Sequence, residues 1–204
     1  MNSTVRVTLD TTPEQAERLR QLQASFAHVC NALAPVVQER RCWNRVTLHH
    51  LTYRAMRDAF PQMGSQMVCN AIYAVCRAAR LLFQEPASPL HLSRLPGGKL
   101  PLLRFTEDCP VYFDRHTLSL KGGQLSMYTL DGRMRFQLQV TPQHEARFRE
   151  QRLRETYLSR RADTRYELVF CFAEGEHAED LPAALPLSSA RGEIPPYVSV
   201  EERA

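Results

Sequence analysis

The chain has 204 residues, 44% of them hydrophobic and 24% charged, with a formal net charge of +4. That balance suits a folded protein with a sizeable core that needs no disulfide staple, and it excludes a mostly disordered chain. No apolar run approaches a membrane span, and Arg6 and Asp10 interrupt the first apolar stretch. Neither a membrane anchor nor a signal peptide is expected, and the cytoplasm is the expected compartment.

The charge is spread unevenly. Residues 174–204 hold seven acids and two bases, net −5, which leaves 24 bases and 15 acids, net +9, in residues 1–173. Of the 26 basic residues only Lys99 and Lys121 are lysines. Arginine favours bidentate phosphate contacts and stacking on bases, so a polyanionic partner is expected, although a GC-rich genome produces the same bias. The six cysteines form no C-x-x-C pair and have no histidine at zinc-finger spacing. They read as free buried thiols, with no metal site and no cofactor.

In chain order, Val5, Val7 and Leu9 alternate with polar neighbours over residues 3–10, the period of a half-buried strand. A threonine cap, Pro13 and Glu14 then open a long helix, with an apolar stripe at Leu19, Leu22, Phe26, Val29, Leu33 and Val36 and a kink expected at Pro35. A second helix is predicted over 48–60 and a third over 65–84, with Met67, Ala71, Ile72, Val75, Ala79 and Leu82 as its core face. Gln66, Asn70, Tyr73, Arg77, Arg80 and Gln84 recur on the third helix at steps of three and four. This line reads equally as a solvated surface or as a nucleic-acid contact line, in which Gln66 and Asn70 reach base edges.

Residues 85–101 are rich in Pro, Ser and Gly and read as a linker. After them the period changes to two. Strands are predicted at 102–105, 111–113, 117–120, 124–129 and 133–140, with turns at 114–116, 121–123 and the Asp131-Gly132 pair. Thr141 and Pro142 open a short helix, and strands over 156–158 and 166–172 close the pattern. Short strands joined by tight turns point to an α+β protein. Residues 1–10 and 102–173 form a small antiparallel β-barrel, with a three-helix insert (11–84) after the first strand and an acidic flexible tail (174–204).

No constellation of acid, base or metal ligands forms an active site, so an enzyme is not expected. His49 and His50 are adjacent on a helix and point about 100° apart, so they do not share a metal ion. Asp108, Asp114, His116 and Asp131 sit around turns, where Asp serves the backbone. "LPGGK" lacks the spacing and the following Ser or Thr of a phosphate-binding loop.

The stretch "YFDRHTLSLKGGQLSMYTLDGRMRF" resembles the barrel segment of the TnpB/OrfB transposon-encoded proteins and the related small type V CRISPR effectors. The resemblance rests on Asp114, Thr117, Leu118, Ser119, Leu125, Ser126, Thr129, Leu130, Asp131, Gly132 and Arg133, with His116 where the family usually has arginine. Ser65, Gln66, Ala71, Ile72 and Val75 match the family's helical stretch, and "ADTRYELVFCFAEGE" is similar to its last barrel strands.

In that family this half is the wedge and recognition module, which grips the guide RNA scaffold and the guide–target duplex. The resemblance implies a protein that binds a structured guide RNA, helps to bind target DNA, and works with other subunits of a ribonucleoprotein. The chain ends at Ala204, where the family's RuvC-type nuclease would begin, so a nuclease-free protein is expected. The alternatives are one half of a split effector, with the nuclease in trans, and a protein-interaction subunit that no longer holds RNA. The expected contacts are Gln66, Asn70, Tyr73, Arg77 and Arg80 on the helix and Arg115, His116, Lys121, Arg133 and Arg135 on the barrel.

Overall fold

A computed structural model describes residues 3–173, 186–187 and 190–201. The elements run β1 (Ser3–Thr8), α1 (Pro13–Arg40), α2 (Arg45–Ala59), α3 (Ser65–Phe83), two 3-10 turns (Leu92–Arg94 and Pro96–Gly98), β2 (Leu102–Phe105), β3 (Val111–Phe113), β4 (Leu118–Lys121), β5 (Gln124–Thr129), β6 (Gly132–Gln137), α4 (Pro142–Glu150), β7 (Arg152–Arg160), β8 (Tyr166–Ala173) and β9 (Val198–Glu201). The protein is α+β, with antiparallel sheets, and falls into two compact units that divide after Gln23 and again at Pro110.

The first unit holds the N-terminal residues to Gln23 and the chain from Pro110 through β8. Its larger sheet has the order β1-β8-β7-β3, so the first strand pairs with one of the last. Val7 faces Leu168 in that register, and Val5 faces Phe170. The alternation read from the sequence is the cause: Val5, Val7, Leu168 and Phe170 are all buried. Phe148 of α4 sets its ring edge-on against Phe170 and Phe172, with centroids 5.0 and 5.1 Å away, and thereby anchors this short helix. Glu167, 5% exposed, is balanced by Arg6 Nη1 at 2.5 Å and receives a hydrogen bond from Ser159 Oγ.

A second, three-stranded sheet has the order β4-β5-β6. Among the described residues neither sheet of this unit closes on itself, so the ladders stop short of the closed barrel that the sequence suggested. Between β3 and β4 the chain turns at Asp114, whose carboxylate accepts from the backbone N–H groups of His116 and Thr117. These donors are satisfied within the turn and do not continue a ladder.

The second unit holds Ala24–Cys109 and the C-terminal described residues. The stripe on α1 is buried at Leu19, Leu22, Phe26, Val29 and Leu33, but its last step goes to Val37, 1% exposed, instead of Val36. Asn44 caps α2 by accepting from the Thr47 N–H at 3.0 Å, which starts this helix three residues before the predicted Leu48.

Two segments depart from the expected organisation. Residues 85–101 are packed and do not form an open linker: Ser88 is fully buried, and Arg94 Nη1 donates to the Pro86 and Ser88 carbonyls at 2.7 and 2.6 Å. Nor does the C-terminal segment trail away where it is described. Arg191 pairs with the buried Glu85 at 2.6 Å, and β9 pairs with β2. Gly192, at φ 82°, lets the chain pass so close to Ala87 that a Cβ would lie 2.7 Å from the Ala87 carbonyl carbon. The expected barrel strand at 102–105 therefore belongs to a separate ribbon in the second unit. The Asn31 amide brackets it by donating to the Phe105 carbonyl and accepting from the Phe105 N–H, both at 2.8 Å. Most of the acids expected to form a flexible tail, Glu174, Glu176, Glu179, Asp180 and Glu202, lie outside the described residues.

Candidate nucleic-acid interface

The β4-β5-β6 sheet is fixed by two tight turns. Gly122 and Gly123 both take positive φ, 55° and 75°, as a two-residue mirror-image hairpin turn requires, and Lys121 therefore pairs with Gln124. At the other turn Thr129 pairs with Gly132, so the loop is Leu130-Asp131, one residue earlier than predicted, and Gly132 follows at φ 105°.

Two faces result from this register. Leu118, Leu125, Met127, Met134 and Phe136 are buried on one side. On the other, Ser119, Ser126 and Arg135 form one cross-strand row and Lys121, Gln124 and Gln137 a second, while Tyr128 lies opposite Arg133. All of these except the half-buried Ser126 are exposed, and none is acidic. A face of arginine, lysine, amides, hydroxyls and one aromatic ring offers phosphate contacts, base-edge hydrogen bonds and a stacking surface together.

The Arg133 guanidinium lies over the Tyr128 ring, 4.7 Å from its centroid. It donates to the His116 carbonyl at 2.9 Å, to Ser126 Oγ at 3.2 Å and to the Ser126 carbonyl at 3.3 Å. His116 thus contributes its backbone here, and the neighbouring Arg115 lies exposed with its Nε 3.4 Å from His116 Nε2.

The two nearest acids are engaged elsewhere. Asp114 serves its own turn, and Arg18 of α1 holds Asp131 through Nε at 3.0 Å and Nη2 at 2.7 Å. The Arg18 guanidinium and then the Thr129 hydroxyl lower the Asp131 pKa, so its charge stays matched to Arg18. Five predicted residues, Arg115, His116, Lys121, Arg133 and Arg135, therefore sit on this sheet or the turn that leads into it.

The helical set does not form a comparable surface. Most residues of α3 are buried, including Ala74 and Phe83, which lie outside the predicted core face. Asn70 is only 4% exposed, with its amide toward Met67 Sδ at 3.9 Å, and so departs from the exposed line expected of it. Gln66, Tyr73 and Arg77 are half-buried, and Arg45 covers the Tyr73 ring at 5.4 Å. Arg80 alone of the predicted five is exposed, where with Arg41, Trp43, Asn44 and Gln84 it lines a cavity of about 480 Å³.

Among the described residues no group of three His, Cys, Asp or Glu side chains is placed to hold a metal ion. Burial pushes the Cys76 thiol up to about 12, and burial followed by the neighbouring Cys109 raises Cys30, which leaves both thiols protonated and unreactive. His49 stacks on Tyr53 at 4.6 Å, and the His50 ring lies edge-on to it.

Sequence reasoning missed Gln124, Ser126, Tyr128 and Gln137 as members of the basic face. The alternation along both strands was legible, but an Asp131-Gly132 loop would pair Tyr128 with Arg135, and only the observed Leu130-Asp131 loop sets Tyr128 opposite Arg133. No family model matches the sequence, and no curated protein matches it.

Proposed function

We propose that this protein binds RNA in the cytoplasm, through the outer face of the β4-β5-β6 sheet, as part of a larger ribonucleoprotein. The observation that carries this reading is the composition of that face: Lys121, Arg133, Arg135 and Tyr128 exposed together, with no acid among them. Counterion release on phosphate contact supplies the affinity, and the amides and ring supply base contacts. The resemblance to the TnpB/OrfB proteins supports the same reading, in which the first unit is the wedge-like barrel module and the RNA is a structured guide. Target DNA is then a further ligand, and a nuclease acting in trans is a candidate partner subunit.

The test is recovery of the protein from its native host in moderate salt, followed by sequencing of bound RNA and mass spectrometry of bound proteins. One discrete RNA with a repeated scaffold and a variable segment is the expected result. Protein that elutes free of RNA, and that shows no salt-dependent affinity for added RNA, overturns the reading.

A further inference from the structure

We infer that the Tyr128–Arg133 stack is a platform for one unpaired base, so that this face takes single-stranded RNA in preference to duplex. The inference rests on the RNA-binding reading and adds the form of nucleic acid bound.

An arginine that only answered phosphates would extend its N–H groups into solvent. Arg133 does the opposite. Its N–H groups are turned onto the His116 carbonyl, Ser126 Oγ and the Ser126 carbonyl, which come from the turn before β4 and from β5. Its guanidinium carbon lies over the Tyr128 ring, 4.7 Å from the centroid. Both residues remain exposed, and part of the guanidinium's hydrogen-bonding edge is already engaged within the sheet. Such a pair accepts the face of a base.

The stack is also pre-organised. The three hydrogen bonds hold a side chain that would otherwise lose rotamer freedom on binding. Arg135 lies on the same outer face two residues along β6, and Lys121 lies in the next outer row beyond it, so phosphates that follow the stacked base along the sheet meet positive charge. Gln124 and Gln137 complete the face with amides for the edges of an adjacent base. A duplex already stacks its bases internally and can use only the charges.

The test uses the full chain and a uridine-rich RNA carrying one 2-aminopurine, with an A-form duplex of the same length as comparison. Wild-type protein is expected to quench the 2-aminopurine on binding and to prefer the single strand about tenfold. R133K keeps the charge but loses the plane, and Y128L keeps apolar bulk but loses the ring. Each variant, with folding checked by circular dichroism, is expected to lose the quench and to bind the single strand about tenfold more weakly, so that its preference over the duplex disappears. Binding of both RNA forms with no quench, equal affinity and no effect of either substitution overturns the platform and leaves the RNA-binding reading standing. Failure to bind either form overturns both.

Discussion

The outer face of β4-β5-β6 and the polar line of α3 contain the same kinds of residue, arginine, tyrosine and amides at the spacing of their element, yet they differ in how far they are exposed. On the sheet every second residue from Gln124 to Tyr128 and from Arg133 to Gln137 is polar or aromatic, and its neighbours are apolar. On α3, Ala74, Cys76, Leu81 and Phe83 border the polar line and are buried, and along the line itself Asn70 is buried, Gln66, Tyr73 and Arg77 are half-buried and Arg80 and Gln84 are exposed. A periodic polar line is an open contact surface where its neighbours across the element are polar as well, as the cross-strand rows of this sheet are.

Breaking α3 at a position outside its predicted core face separates the two regions most sharply. Phe83→Ala is expected to cost about 3–5 kcal/mol in chemical denaturation, because the ring is 1% exposed and packs against Trp43. A loss below about 1 kcal/mol would mean that this side of the helix is open. Asn70→Asp follows, at about 2 kcal/mol, since a carboxylate there enters the core. The same kind of change at the exposed Arg80, to Gln, should stay within about 0.5 kcal/mol. Thermal melts of the pair give the ordering directly.

How much of this was legible in the sequence depends on the range of the interactions. Local signals placed α1, α3, β2, β3, β5, α4 and both hairpin turns to within a few residues, because caps, glycines and alternation act over short spans. Three features depend on distant partners and were not legible. The ribbon of β2 with β9, the pairing of Glu85 with Arg191, and the enclosure of Asn70 each require knowing what lies across the fold. The site was half legible, since the charged members Lys121, Arg133 and Arg135 were found and the uncharged Tyr128, Gln124, Ser126 and Gln137 were not.

The smallest expected effect concerns the salt bridge that keeps Asp131 matched. Asp131→Asn should lower stability by about 0.5 kcal/mol or less, because the pair is exposed and screened. The sign of the pH dependence follows from the lowered pKa. The contribution is fully present above the ordinary Asp value, about 4, and is lost as the pH falls through the lowered value. Denaturation midpoints of both forms at about pH 6 and at successively lower pH give the difference, which should shrink as the pH falls below the ordinary Asp value.

The central claim is that RNA is held by the sheet and not by the helix. The most direct measurement is RNA affinity against salt concentration for wild type, for K121E/R135E and for R80E. The account predicts that the sheet variant binds at least about tenfold more weakly and has a log–log salt slope shallower by roughly 1.4, while R80E stays within about twofold of wild type. An unchanged slope in the sheet variant, with the loss appearing in R80E instead, would contradict it.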